Sequence, residues 1–359
     1  MTRDNSIWLV SADDLKALTI AILERSGLPN SDASIVADSL VTADLRGTHS
    51  HGVTRVPWYV SALQTGAVNP HPYLRRVHQR HCVGLLDGDN GMGQVVAAQG
   101  MKWALEIAHA EGIGVVGVRG SNHFGTCAYY AQMATREDLI GVVFTNGWPL
   151  MAPWGGREAM LGNHPLAVGI PAGEEPPVIL DMATSVAAQG TIALALKKGE
   201  CIPEGWAMDR RGRPTQDPRE ALDGLIMPLG GYKGYGLSLV IGVLTAVLTG
   251  AATSWEMLDI PSLCRGLGTN VGHLLMAIDV ESFIPLAEFK RLIDQMVRTL
   301  KACPRAEGVD RIYMPGEIEH LRQQTYQTEG IPMDSVVREE LRELAVRFKV
   351  EFPWPEGGS

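Results

Sequence analysis

The chain has 359 residues, of which 45% are hydrophobic and 20% charged, with a formal net charge of −9. That length exceeds one ordinary hydrophobic core, so two lobes are expected, and the composition is that of a folded globular protein. The negative balance argues against nucleic acid as a partner, because the phosphates would be repelled.

The first residues, Met1-Thr2-Arg3-Asp4-Asn5, carry charges with no apolar run behind them, so no signal peptide is expected. Ser11-Ala12-Asp13-Asp14 has the form of a capping box and opens a helix that Gly27 ends. Asn30-Ser31 can cap a second helix reaching Leu45 or Arg46, and Pro57 suits the first turn of a third. Helical patterning lasts to about Val68, and Asn69-Pro70-His71-Pro72 reads as a link.

From Cys82 the pattern alternates. Strands are expected at Cys82–Leu86, Ile113–Val118, Ile140–Thr145, Leu166–Ile170, Val178–Leu180 and Leu274–Ile278. Helices are expected at Gln94–His109, Thr126–Arg136, Val186–Lys197 and Lys233–Leu248, then at Leu286–Ala302 and Ser335–Lys349. This is an α/β (mixed α+β) core with helical ends. The charge-free run from Gly234 to Ser254 is diluted by glycines and has few basic flanks, so it is expected as a helix buried in a large core rather than a membrane span. Five scattered cysteines (Cys82, Cys127, Cys201, Cys264, Cys303) without a C-x-x-C pair fit a reducing, cytoplasmic setting.

Two glycine-rich stretches invite a nucleotide reading. Gly112-Ile113-Gly114-Val115-Val116-Gly117 satisfies G-x-G-x-x-G, but the helix precedes it and the glycines fall inside the strand. The dinucleotide motif needs the reverse order, so this is a strand entry. Asp87-Gly88-Asp89-Asn90-Gly91-Met92-Gly93 lacks the Lys-Ser/Thr ending of a phosphate loop and reads as a turn into the next helix.

The chemistry concentrates in two histidine clusters. His123 lies in Ser121-Asn122-His123-Phe124-Gly125, where a strand ends and a helix begins, a place that meets ligands in open α/β sheets. Thr48-His49-Ser50-His51-Gly52-Val53-Thr54-Arg55 ends in a cation able to hold a carboxylate. If a helix starts there, His51 and Arg55 share one face and Tyr59 follows a turn later. Cys127, four residues past His123, lacks the company of a thiol hydrolase. His49 and His51 raise a metal site, but no carboxylate or cysteine cluster accompanies them, and no metal is expected.

Ser50-His51-Gly52 with Arg55 and Tyr59, followed by Ser121–Gly125, resembles the malate/L-lactate dehydrogenase family of NAD(P)-dependent 2-oxoacid reductases. So do Ala152-Pro153-Trp154-Gly155-Gly156, Leu180-Asp181-Met182-Ala183-Thr184-Ser185, Ile202–Ala207, Pro228–Gly236 and Pro315-Gly316-Glu317. The resemblance runs from about Ser11 to Val350. It implies a non-Rossmann dinucleotide-binding core inserted between N- and C-terminal helical segments, divided near 1–75, 76–284 and 285–359, and a homodimer. It implies NAD or NADP as cofactor and a small carboxylate substrate. Malate, lactate, ureidoglycolate, sulfolactate and diketogulonate are all handled within the family.

Reducing a 2-oxo acid needs a hydride donor, a proton donor and a carboxylate clamp. His123 and His51 compete for the proton, since either titrates near neutrality; His123 is favoured, with Ser50 and His51 as a polar pair beside it. Arg55 suits the carboxylate, and Tyr59 can donate a phenol or pack. Asp181 can orient an imidazole, accept from a ribose hydroxyl, or stand at a helix N-terminus. By resemblance Asp181, Met182, Ala183, Tyr232, Lys233, Gly316 and Glu317 line the cofactor, as do Thr145, Asn146 and Gly147. The family commonly has Gly-Thr-Asn-Pro where this chain has Gly162-Asn163-His164-Pro165, which puts local contacts and substrate preference in question. An imine reductase and a cofactor-binding homologue without turnover are the rival readings.

Overall fold

The computed structural model describes residues 7–257 and 268–354. Cys264 lies outside the described residues. In chain order the N-terminal part holds β1 (Ile7–Val10), α1 (Ala12–Arg25), α2 (Asn30–Leu45) and α3 (Val56–Gln64). Ser11 caps α1 by accepting the Asp14 N–H at 3.4 Å. The expected Asn30-Ser31 cap does not form. Pro29 holds that position with no side-chain bond, because its locked φ already starts the turn.

The next elements are β2 (Arg75–Arg80), β3 (Val83–Asp87), α4 (Gly93–Glu111), β4 (Ile113–Ser121), α5 (Cys127–Thr135), β5 (Ile140–Thr145), β6 (Leu166–Ile170) and β7 (Val178–Met182). A small lobe follows with α6 (Gln189–Lys198), β8 (Ala207–Met208), β9 (Pro214–Thr215), α7 (Pro218–Asp223) and β10 (Leu225–Ile226), built around Met151, Ile192, Ile202 and Ile226. Then come α8 (Tyr232–Gly242), β11 (Val271–Ile278), α9 (Leu286–Lys301), α10 (Glu317–Glu329), β12 (Ile331–Asp334) and α11 (Ser335–Phe348).

The main sheet has seven strands in the order β2-β3-β4-β11-β5-β6-β7. Only β3 and β4 pair in parallel; the other neighbours are antiparallel. A Rossmann sheet is parallel throughout its nucleotide-binding half, so this is a different α/β architecture. Helices α4 and α5 cover one face through Val96, Met101, Ala104, Tyr130 and Ala131. The second core joins the two ends of the chain: Leu15, Ile22, Leu40 and Val56 pack with Ile331, Met333 and Leu341, and β1 pairs antiparallel with β12. Helix α9 lies elsewhere, its Asp294 accepting the N–H groups of Gly173, Glu174 and Glu175.

Two sequence expectations need correction. The helix from residue 232 is not buried all round. Gly234, Ser238, Ile241, Thr245 and Ala246 face inward, whereas Val240, Val247 and Leu248 are 54%, 65% and 65% exposed. The helix also changes to a π turn over Val243–Val247. An apolar, charge-free run reports that a surface will be covered, but not whether the same chain covers it. The strands β1, β2 and β12 and helix α10 carried no periodicity strong enough to announce them. β2 (Arg-Arg-Val-His-Gln-Arg) is exposed at every position, so no apolar alternation marks it.

The glycines at 112, 114 and 117 stand where a strand entry puts them. Gly112 ends α4 in the left-handed region (φ 83°), and Gly114 and Gly117 lie within β4. A Cβ at Gly114 would lie 1.9 Å from the Ala104 carbonyl oxygen, so glycine is what lets α4 rest on the sheet. Gly114→Ala is therefore expected to destabilise the protein by about 3 kcal/mol, the scale of an overpacked core. Urea unfolding measures this, and a change within about 0.5 kcal/mol would contradict the packing argument.

Candidate active site

The segment carrying Ser50, His51 and Arg55 is not the start of an α-helix. It forms two 3₁₀ turns, His49–His51 and Val53–Arg55, parted by Gly52 in extended conformation. The shared helical face expected for His51 and Arg55 is thus replaced by a folded-back loop in which Arg55 Nε donates to the Ser50 carbonyl at 2.6 Å. Asp44, buried at the end of α2, holds this loop. Its carboxylate accepts the Val53 N–H at 2.8 Å and meets His49 Nδ1 at 2.9 Å. Burial pushes that carboxyl up, against the pull of His49 and Val53. A Cβ at Gly52 would sit 2.1 Å from the carboxylate, which explains the glycine after His51.

His123 follows β4 and lies across from that loop. Its ring stacks on His51, with centroids 5.6 Å apart and planes 26° apart. Tyr59, from α3, places its hydroxyl 2.7 Å from His123 Nδ1, and Gln94 Nε2 donates to the same hydroxyl at 2.8 Å. Since the phenol oxygen already accepts from Gln94, its proton is free to go to Nδ1. With the amide in this orientation, neutral His123 carries its hydrogen on Nε2. Nε2 has no hydrogen-bond partner among the described residues, which leaves it for a ligand. Gln94 Oε1 is buried and also without a partner among them. Turning the amide over would let Tyr59 donate to that oxygen and accept from Nδ1–H, so the same three residues also accommodate the imidazolium and the neutral Nδ1–H ring.

The Gly-rich turn before α4 makes this possible. A Cβ at Gly93 would lie 2.2 Å from the Asn122 carbonyl oxygen and 2.3 Å from that of His123. The helix start therefore presses against the His123 backbone and delivers Gln94. Asn122 Nδ2 closes the contact by donating to Gly91 O at 2.9 Å, and Thr269 Oγ1 donates to Asn122 Oδ1 at 2.8 Å.

Charge and burial both hold the imidazoles neutral. Burial, then the neighbouring charges of His51, Arg55 and His273, takes His123 well below its usual 6.5. Burial and then Arg55 lower His51 to about 4. Ser50 Oγ lies 2.9 Å from His51 Nδ1. Two stacked imidazoles so close to a guanidinium cannot both carry charge at low cost, so one proton serves the pair. Arg55 makes no ion pair with a carboxylate among the described residues, and its guanidinium carbon stands 5.9 Å from the Trp58 ring. Burial pushes the Cys127 thiol up, followed by the Asp181 charge, which disqualifies it as a thiolate nucleophile.

A small cavity beside His123 is lined by Trp58, Tyr59, Met92, Asn122, Trp148 and Thr269. The Trp58 and Trp148 rings stand 5.9 Å apart, and both indole N–H groups are shielded from solvent without an acceptor among the described residues. Such a donor costs roughly 1–3 kcal/mol if left unmade.

The other expected residues gather along one end of the sheet. There β4 ends at Ser121, β11 begins at Val271, β5 ends at Thr145, β6 begins at Leu166 and β7 ends at Met182. Thr145 Oγ1 and Ser121 Oγ both bond His273, at 2.7 and 2.8 Å, so a buried imidazole ties the two strand ends together. Phe124 stacks on it at 4.4 Å. The Asn146 side chain bridges Gly272 N and Ala252 O. His164, the departure from the family pattern, is a buried strut. Its Nδ1 meets Ser238 O and its Nε2 meets Ser254 Oγ, both at 2.8 Å, and Ser254 donates to the Gly147 carbonyl. Burial takes His164 to about 4, so it stays neutral.

Asp181 Oδ2 accepts the Ala128 N–H at 2.7 Å and so serves the N-terminus of α5, a helix other than the one its sequence suggested. The residue is exposed at the strand end while its carboxyl sits among protein atoms. The carboxyl's own surroundings govern its titration, and burial raises it to about 6 against Ala128 and Arg46. Met182 and Ala183 follow it and are half-buried. Leu229 N–H donates to Thr184 O at 2.8 Å, which brings the Tyr232-Lys233 turn beside Met182 and Ala183. Gly316 (φ 80°) packs on Ile179, whose N–H donates to Pro315 O. Glu317 is already taken by Arg311, Lys301 and the Met314 N–H, so it braces the turn.

These residues fit a dinucleotide. Lys233 is exposed and has no ion-pair partner among the described residues. Thr184 Oγ1 is buried without a hydrogen bond beside Ala183. The sequence reading missed Asp44, Trp58, Gln94, Trp148 and His273. Gln94 and Trp148 each adjoin a quoted stretch, at Gly93 and at Thr145-Asn146-Gly147, and adjacency was the available signal.

Comparison with known proteins identifies the family. Residues 10–342 match the family described as malate/L-lactate dehydrogenase. A malate dehydrogenase of Pyrococcus horikoshii is 42% identical over 356 residues, covering 97% of this chain and 98% of that protein. An L-sulfolactate dehydrogenase of Methanocaldococcus jannaschii is 40% identical over 341 residues, covering 94% and 96%. The solved structure of malate dehydrogenase from Pyrococcus horikoshii OT3 superposes with a TM-score of 0.88 at 41% identity, over 97% of each chain. The chain belongs to the malate/L-lactate dehydrogenase family and is an NAD(P)-dependent oxidoreductase of 2-hydroxy acids.

Proposed function

We propose that the chain interconverts a small 2-oxo acid and its 2-hydroxy acid, with His123 moving the proton at Nε2 and Arg55 holding the substrate carboxylate. The observation that carries this reading is the unequal state of the two ring nitrogens. Nδ1 is tied to Tyr59, and Nε2 has no partner among the described residues. When bound, NAD(P) supplies or accepts the hydride. Tyr232, Lys233 and the segments 181–183, 145–147 and 316–317 are the residues that would hold it, with Lys233 as the cation for the pyrophosphate.

In the reducing direction the His123 imidazolium gives its Nε2 proton to the carbonyl oxygen. That leaves the neutral ring with hydrogen on Nδ1, which Tyr59 accepts while its own proton goes to Gln94 Oε1. In the oxidising direction the same Nδ1–H form takes the hydroxyl proton at Nε2, so a ring resting with hydrogen on Nε2 must first exchange tautomers as Tyr59 and the Gln94 amide turn. His51, held by Ser50, supplies polarity beside His123 and limits its charge. The bidentate fork of Arg55 fixes the carboxylate, so the carbonyl oxygen is presented at one distance and angle.

No described helix is long and apolar enough to cross a membrane. The exposed residues Val240, Val247 and Leu248 support a homodimer that covers this face. Among the described residues Cys82, Cys127, Cys201 and Cys303 are free thiols, which supports a cytoplasmic setting.

Absorbance of the nicotinamide during turnover of a panel of 2-oxo acids tests the activity. His123→Gln should lower turnover roughly 10²-fold or more while NAD(P)H still binds, as judged by its fluorescence; His51→Gln should lower it less. The roles exchange if His51→Gln proves the more damaging.

The pH dependence has a definite sign. Reduction needs protonated His123, whose pKa lies below 6.5 in the free protein. Thus kcat/KM for reduction should keep rising as the pH falls through 6.5, whereas kcat/KM for oxidation should stay level there and fall only at more acid pH. Arg55→Gln removes a cation that opposes protonation, so it should move the midpoint upward and raise KM. A wild-type midpoint above 6.5 would count against this assignment.

A further inference from the structure

The two tryptophans beside His123 take no part in moving the proton, yet each brings a shielded N–H with no acceptor among the described residues. Their rings lie 5.3 and 6.1 Å from the His123 ring, and all three line the same small cavity. Buried donors in folded proteins are nearly always paired, and two orphans at one cavity mark a place for an acceptor the chain does not supply. Arg55 takes the C1 carboxylate and His123 the C2 oxygen, so the substituent on C3 is the part of the substrate left for the indoles.

We propose that Trp58 and Trp148 are specificity-determining residues, giving their N–H groups to an acceptor-bearing group at the far end of the 2-oxo acid. A carboxylate, a sulfonate and an amide carbonyl share that chemistry. An alkyl end does not, because it would fill the cavity and leave both donors buried and unpaired. The donors are neutral, so selection follows the presence of acceptor oxygen more than net charge. The rings themselves form rigid walls, with two rotatable bonds apiece. This inference rests on the roles proposed above for His123 and Arg55.

The test compares kcat/KM for oxaloacetate, 3-sulfopyruvate and 4-methyl-2-oxopentanoate, the last matching oxaloacetate in shape with methyl groups in place of carboxylate oxygens. The wild-type protein should prefer at least one acceptor-bearing substrate over the alkyl isostere by about 100-fold or more. Trp58→Phe and Trp148→Phe keep a ring and remove the donor, and each should lower that ratio by about fivefold or more. A wild-type ratio near one overturns the proposal without any variant having to fold. So does a ratio that survives in both variants. Failure of the underlying reading looks different: none of the three acids would be reduced, and His123→Gln would change nothing.

Discussion

The site depends on one hydrogen-bond chain, Gln94 to Tyr59 to His123. Each member comes from a different part of the fold. The tyrosine hydroxyl accepts from Gln94 and gives to Nδ1, so the reactive nitrogen is fixed by a residue on the far side of the ring. Burial keeps the imidazole neutral, and in the proposed reaction a carboxylate arriving beside Arg55 would lower the cost of charging it.

Much of the surrounding structure exists to hold that chain in register. Gly93 lets the start of α4 touch the backbone of Asn122 and His123, and the next residue is the glutamine. Asp44 fixes the loop of Ser50, His51 and Arg55 by accepting a backbone N–H and an imidazole. Near His123, the buried ring of His273 joins the ends of β4 and β5, so the His123 loop and the Thr145-Asn146-Gly147 segment are tied to one another. His164 does the same between Gly147 and α8. The substitution that looked like a change at the site is therefore part of its frame.

The sequence made the regular elements of the α/β core legible because they obey simple periods. β5 and β6 begin and end where their apolar runs do, and α4, α5 and α9 differ from expectation by a few residues at most. β2 escaped notice because full exposure removes the alternation that signals a strand. At the site, motif residues were visible and their partners were not. His123, Tyr59 and Arg55 stood in recognisable strings. Gln94, Asp44, His273, Trp58 and Trp148 act through contacts between segments distant in the chain, and no spacing rule reports those. The helical-face argument for His51 and Arg55 failed for a local reason: the buried Asp44 carboxylate and Gly52 impose two short turns where periodicity suggested one helix.

The tautomer of His123 is the most direct measure of whether this chain of bonds governs the site. Nitrogen-15 NMR of the protein labelled in its histidines distinguishes a ring protonated on Nε2 from one protonated on Nδ1 or on both. At neutral pH His123 should appear as the neutral Nε2–H form, and Tyr59→Phe should release that preference while leaving His164 and His273 unaltered. A neutral Nδ1–H form in the wild-type protein, or a signal indifferent to Tyr59→Phe, would contradict it.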